Sequence, residues 1–153
     1  MALYVIGLRH ISVYRHDWRR EALIHHIELN VSNLKLTRKF YDSLLPLLGY
    51  HQFQDWSEGF SYRKDKEYIV FVQTPPEYLE AGYHRKAAGL NHIAFHAPSS
   101  LEVDAITAKM RQSGISILYQ DRHPYAGGAE TYAVFMEDPD RLKIEVAVWG
   151  SED

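Results

Sequence analysis

The sequence predicts an α+β fold in which two βαβββ modules form a curved mixed sheet around a cleft. An internal repeat is the first observation: residues 26–31 (HIELNV) and 92–97 (HIAFHA) both alternate polar and apolar side chains. Such alternation is typical of a strand with one buried face. The second observation is that a capping residue and a helical pattern follow each strand and end at Gly49 or Gly114. Nearly equal intervals in the two copies indicate a duplicated unit.

The other elements follow in chain order. In the first copy Ser32 or Asn33 caps the helix, and Pro46 is expected to fray or kink its last turn. In the second copy Ser99 and Glu102 have the spacing of a capping box. Three strands are predicted after each helix, at 50–56, 60–63 and 68–73 and then at 115–120, 130–136 and 142–149.

These patterns divide the chain into an N-terminal extension, residues 1–24, and one domain, residues 25–149. The domain contains module 1 (25–74), a linker with two prolines (75–88) and module 2 (89–149).

Composition limits the chemistry. The chain has 153 residues, 46% of them hydrophobic, and a formal charge of −3, which argues against a nucleic-acid surface. No segment has the length and apolarity of a membrane span, so a cytoplasmic protein is expected. Cysteine is absent, which excludes disulfides and thiolate metal sites, whereas histidine occurs nine times. Any metal would therefore bind imidazole nitrogen or oxygen.

Strand alternation directs two histidines and one glutamate to the same side of the predicted sheet. His26 and His92 lie opposite the apolar face that each strand turns to its helix, and so does Glu145 in the last strand. A carboxylate inside the apolar segment EVAVW needs a partner. Two histidines and one carboxylate suit a divalent transition metal and leave coordination positions open. The alternative for each histidine taken alone is a hydrogen-bonded structural residue.

The sequence resembles the vicinal oxygen chelate superfamily, which includes glyoxalase I, bleomycin-resistance proteins, fosfomycin-resistance enzymes and extradiol dioxygenases. The resemblance is carried by HIELNVSN, the Phe40-Tyr41 pair, Leu48-Gly49-Tyr50, GLNHIAFHAP and DPDRLKIEVAV. It implies paired modules around a metal-binding cleft with His26, His92 and Glu145 as ligands. The fourth ligand of glyoxalase I would fall near Val70 or Phe71, so the set is more similar to three-ligand members.

Other residues are candidates for the cleft. Glu28 has the direction expected of a catalytic base, and Tyr132 could orient a substrate oxygen or simply pack. The substrate-cleft candidates are His96, Trp56, Tyr62, Arg122, His123 and Tyr125.

The resemblance implies a divalent-metal-dependent lyase, isomerase, transferase or dioxygenase. The ion would be iron, manganese, nickel or zinc, and it would chelate a small substrate through neighbouring oxygens. The alternative is a non-catalytic small-molecule binding protein of the bleomycin-resistance type. A homodimer is expected, with the modules paired within one chain or exchanged between two.

Overall fold

A computed structural model describes residues 24–149, and these form two β-sheets and two α-helices. The four-stranded sheet has the order β1-β4-β3-β2, with β1 and β4 parallel and the other pairs antiparallel. The three-stranded sheet has the order β5-β7-β6, with β5 and β7 parallel. The elements are β1 (His26–Val31), α1 (Leu34–Leu44), β2 (His51–Trp56), β3 (Gly59–Lys64), β4 (Glu67–Gln73), β5 (His92–His96), α2 (Ser100–Gln112), β6 (Thr131–Glu137) and β7 (Lys143–Trp149).

Both predicted helices begin and end near the predicted signals. The Asn33 side chain accepts the N–H of Leu36, and the Ser99 hydroxyl accepts the N–H of Glu102. Helix α1 stops at Leu44 and continues as a 3₁₀ turn over Leu45–Leu48 with Pro46 in its first turn. Most of the predicted N-terminal extension, residues 1–23, lies outside the described residues. No helix in the described part is long and apolar enough to cross a membrane.

The predicted strand at 115–120 is wrong. It is reduced to one isolated bridge between Ile117 and Met136, so the described sheet of module 2 has three strands. The reason lies at Tyr119, whose φ of 53° places it in the left-handed region. The N–H groups of Arg122 and His123 both donate to the Tyr119 carbonyl, and this turn ends the extended segment.

The two modules share one hydrophobic core. The largest buried cluster contains Phe40 and Leu44 of α1, Val103 and Met110 of α2, and the apolar faces of both sheets, including Phe71. Because each sheet turns its apolar face to this core, its polar face points away from the helices. The α+β class and the two-module organisation are confirmed, but the described strands form two separate sheets within one chain.

A buried hydrogen bond joins the modules across this core. The hydroxyl of Tyr41 on α1 donates to Oδ2 of Asp138, which follows β6, at 3.1 Å. Oδ1 of Asp138 accepts the N–H groups of Asp140 and Leu142, both at 2.9 Å. Burial raises the pKa of Asp138 to about 6, although the N–H of Leu142 and the hydroxyl of Tyr41 act to lower it.

This raised pKa predicts a pH-dependent stability. The folded state holds the proton of Asp138 more tightly than the unfolded chain, so the stabilisation is complete below pH 4 and is lost as the pH rises to about 6. A shift of this size corresponds to about 3 kcal/mol. Urea unfolding of the wild type and Asp138→Asn between pH 4 and 7 should show this loss only in the wild type. Parallel curves for the two proteins would contradict the assignment.

Candidate metal centre

The parallel pairing of β5 with β7 brings His92 and Glu145 together. The register aligns His92 with Lys143 and Ala94 with Glu145, so the two candidate ligands are diagonal neighbours on the polar face. Nε2 of His92 lies 3.2 Å from Oε2 of Glu145. The predicted proximity of these two side chains is present within one chain.

Glu145 is buried in spite of its charge, with 6% of its surface exposed. Phe135 is its neighbour on β6 and belongs to a small apolar cluster on this face. The cluster also contains Ala133 and Ala147. Leu118, Tyr119 and Ala126, from the segment between α2 and β6, pack against it. A carboxylate in such surroundings has lost most of its hydration and needs a proton, a cation or a metal as partner.

The neighbouring Asn91 fixes the tautomer of His92. Its Nδ2 donates to the carbonyl of Arg85 at 3.0 Å, which orients the amide. Its Oδ1 lies 2.9 Å from Nδ1 of His92 and accepts the proton there. In the neutral tautomer with its proton on Nδ1, the ring of His92 presents Nε2 to Glu145 as an acceptor, and a protonated ring forms an ion pair there. Metal-bound histidines are held in the same way, with the distal ring N–H donated to a fixed acceptor.

His26 lies on the polar face of the other sheet. Its ring stacks on Tyr68 with centroids 4.7 Å apart, and its Nδ1 is 2.9 Å from Nδ1 of His25. Residues 24–149 contain no group of three side chains that could hold a metal ion within one chain. The ligand set of His26, His92 and Glu145 therefore stays a prediction, since only the last two are adjacent here.

A metal ion fits the two residues that the structure brings together. An imidazole nitrogen and a buried carboxylate oxygen face each other, and both groups are usual donors to divalent transition metals. The polar faces of the two sheets point away from the common core. Within the described residues, His26 therefore does not complete a site with His92 and Glu145.

The register also shows where module 1 differs from module 2. Glu28 is aligned with Val70 across β1 and β4, as Ala94 is aligned with Glu145 across β5 and β7. Val70 therefore occupies the position that corresponds to Glu145, and it supplies no ligand. Module 1 instead carries its carboxylate on the adjacent strand β1, at Glu28, and this side chain is exposed.

Two predicted cleft residues are on the wrong side. Tyr62 is buried in the core at 2% exposure, and its hydroxyl donates to Asp42 of α1. The hydroxyl of Tyr132 donates to Asp104 of α2 at 2.8 Å. Strand parity places both tyrosines on the helix side of their sheets, opposite the faces that carry the candidate ligands. A packing role, the alternative for Tyr132, agrees with this position.

Trp56 and His96 lie on the polar faces, whereas the ring of Tyr125 packs against Tyr132 with centroids 5.6 Å apart. Trp56 is 40% exposed and lies over Gly59, where an added Cβ would come within 2.1 Å of the indole. His96 is exposed at the end of β5, as are Arg122 and Tyr125 in the segment after β-bridge residue Ile117. The Nδ1 atom of His123 is 3.1 Å from the carbonyl of Ala133.

Sequence reasoning missed Asn91 and Arg85. The signal for Asn91 was its place directly before the histidine in GLNHIAF. Arg85 had no comparable signal, because its contact with Glu137 joins the linker to β6 across a long sequence separation.

Comparisons with known proteins agree with this architecture. A family model described as the Glyoxalase/Bleomycin resistance protein/Dioxygenase superfamily matches residues 23–146. The chain belongs to this superfamily.

Individual relatives support the same assignment. The chain is 53% identical over 123 residues to the uncharacterized protein YqjT of Bacillus subtilis, covering 80% of this chain and 96% of that protein. A candidate glyoxalase from Bacillus halodurans has a crystal structure that is 48% identical, with a TM-score of 0.83 over 86% of this chain and 99% of that one.

The fold is also similar to that of FosX, a fosfomycin resistance protein from Listeria monocytogenes. The identity is 20% and the TM-score 0.62, over 86% of this chain and 93% of that one. The FosX crystals contained a mutant form of that protein with Mn(II) and dihydroxypropylphosphonic acid.

Proposed function

We propose that the protein is a divalent-metal-dependent enzyme that acts on a small substrate through neighbouring oxygens. The observation that carries the proposal is the pair of His92 and Glu145. Nε2 of His92 lies 3.2 Å from Oε2 of the buried Glu145, and the contact of Nδ1 with Asn91 leaves Nε2 as the ring nitrogen that would bind a metal. The similarity in fold to FosX, crystallised with Mn(II), is consistent with this proposal.

The complete site is proposed to form in a homodimer. In this arrangement His26 from β1 of one chain joins His92 and Glu145 of its partner. The polar face of each sheet then covers the polar face of the other module, which protects the buried Glu145 from water. An isologous pairing of this kind produces two identical sites.

Each protein group then has a distinct task. When bound, the metal would act as a Lewis acid toward the substrate oxygens. His92 is oriented by Asn91, and Glu145 supplies negative charge from an apolar setting. Glu28 shares the polar face of β1 with His26, two residues away or about 7 Å along the strand. We assign its exposed carboxylate the role of accepting a proton from the substrate.

Proton transfer by Glu28 favours isomerase or lyase chemistry among the possible reactions. The cytoplasm is the proposed compartment, where small oxygen-rich metabolites are available.

A second candidate function is ligand binding without catalysis. Trp56 is partly exposed over Gly59, and Phe53 is 43% exposed with the guanidinium of Arg63 at 5.0 Å from its ring. These aromatic surfaces on the polar side of the first sheet would stack on a planar ligand. Such a binder needs neither His92 nor Glu145.

Calorimetric titration of the metal-free protein with Mn²⁺, Fe²⁺, Ni²⁺ and Zn²⁺ separates the two functions. The metal-dependent proposal predicts saturable binding of one ion per chain for at least one of these metals. Absence of saturable binding for all four would overturn the proposal and favour the binding protein.

A further inference from the structure

A positively charged pocket lies beside the candidate metal centre. It has a volume of about 160 Å³ and is lined by Tyr83, His84, Arg85, Lys86 and Arg141. Three of these five residues are cations, and none of the described residues that line the pocket is a carboxylate. This volume equals roughly five water molecules at ~30 Å³ each, enough for a phosphate or carboxylate group.

One carboxylate holds two of the cations in place. Glu137 at the end of β6 pairs with Nη1 of Arg85, and its Oε2 is 3.9 Å from Nε of Arg141. The single negative charge of Glu137 therefore lies close to two guanidinium groups and can neutralise only one of them. The pocket therefore carries more positive charge than the one carboxylate of Glu137 can neutralise.

The other nearby carboxylates are engaged elsewhere. Asp138 accepts the hydroxyl of Tyr41 and two backbone N–H groups in the core. Oδ2 of Asp140 accepts the backbone N–H of Ser32 at 3.0 Å. Neither of these carboxylates lines the pocket, so an incoming anion would meet Arg85, Lys86 and Arg141 first.

The pocket is connected to the metal centre in two ways. The Arg85 carbonyl accepts from Asn91, whose other amide atom holds His92. In addition, Glu137, Lys143 and His92 are aligned across β6, β7 and β5 in one row of side chains. The next row along the strands contains Glu145. The rows are two residues apart, which is about 7 Å.

We propose that this pocket binds an oxyanionic group, a phosphate or a carboxylate, of the substrate whose chelating oxygens are held at His92 and Glu145. The part of this proposal that concerns the chelating oxygens at His92 and Glu145 rests on the proposed function. Glu137 and His92 are two strands apart, so the substrate is a small anion whose charged group lies roughly 10 Å from the chelating oxygens. Planar guanidinium groups favour oxyanions because they donate two parallel hydrogen bonds.

The anion site is tested without metal, by titrating inorganic phosphate and acetate into the purified protein and following backbone amide shifts by NMR. Sodium chloride at equal ionic strength controls for screening. Saturable shifts are expected at residues 83–86 and 141. Tighter binding of phosphate would identify a phosphate group, and tighter binding of acetate a carboxylate. Equal responses to phosphate, acetate and chloride would overturn the proposal.

Variants locate the bound anion. Arg85→Gln and Arg141→Gln are each expected to weaken binding of the preferred anion roughly tenfold, the loss expected for one charge-assisted hydrogen bond. Arg111→Gln, on the exposed side of α2, is the matched control and should retain the wild-type affinity. The side chain of Arg141 is 72% exposed, so that variant should fold even if Arg85→Gln does not.

Unchanged affinity in Arg141→Gln, together with unchanged affinity in a folded Arg85→Gln, would overturn the proposal. The metal titration is a separate measurement. A protein that binds metal but no anion would contradict only the anion pocket, and one that binds anion but no metal would contradict the proposed function.

Discussion

Glu145→Gln is expected to weaken binding of the preferred divalent metal by roughly 100-fold or more, which corresponds to about 3 kcal/mol. The substitution keeps the shape of the side chain and removes its charge. The amide N–H of glutamine can donate a hydrogen bond to Nε2 of His92, so folding should be preserved. The lost affinity would therefore measure the contribution of the carboxylate as a ligand.

The control for this prediction is Glu80→Gln, in the exposed 3₁₀ turn of the linker. It removes the same charge from the chain, so it accounts for any change in long-range electrostatics. Calorimetry should give wild-type affinity for this variant. Wild-type affinity in Glu145→Gln as well would show that the carboxylate is not a ligand.

Phe71→Ala is expected to destabilise the whole chain by about 3–5 kcal/mol. Phe71 on β4 has no exposed surface, and its ring centroid is 5.0 Å from that of Phe60 and 4.2 Å from that of Tyr41. Tyr41 in turn binds Asp138 of module 2. Because both modules share one core, the loss should be measured in module 2 as well as in module 1.

Urea unfolding combined with hydrogen exchange measures this effect. The amides of β4 and β7 should lose protection by similar amounts in Phe71→Ala. Phe53→Ala, at a 43% exposed position, serves as the control and should change stability by less than about 1 kcal/mol. Unchanged protection of β7 in Phe71→Ala would show that the two modules unfold independently.

Strand alternation was sufficient to predict the direction of the candidate ligands. It placed His92 and Glu145 on one face, and the parallel register then made them neighbours. The same rule applied to β3 and β6 would have placed Tyr62 and Tyr132 on the helix side. An aromatic ring suits a ligand wall and a tyrosine hydroxyl suits a substrate oxygen, but neither property fixes the direction of a side chain as strand parity does.

Long-range contacts could not be predicted in the same way. The pairing of Arg85 with Glu137 and that of Tyr41 with Asp138 depend on how the linker and helices pack, which no local pattern records. The error at 115–120 has a local cause. The backbone turns at Tyr119 with a positive φ, and the sequence has no glycine at that position to indicate the turn. The proposed meeting of His26 with His92 involves a second chain, and the pairing of two chains leaves no local pattern in one sequence.

The most direct test of the shared metal site is complementation between two defective variants. His26→Ala and Glu145→Ala are co-expressed with different affinity tags, and the heterodimer is isolated by sequential purification. In the proposed arrangement one of its two sites carries both substitutions. The other combines intact His26 from the Glu145→Ala chain with intact His92 and Glu145 from the His26→Ala chain.

Metal content per dimer is then measured for the heterodimer and for each homodimer. The account predicts one tightly bound divalent ion per heterodimer and none in either homodimer of a variant. A heterodimer that binds no more metal than the two homodimers would contradict a site built from His26 of one chain and His92 with Glu145 of its partner.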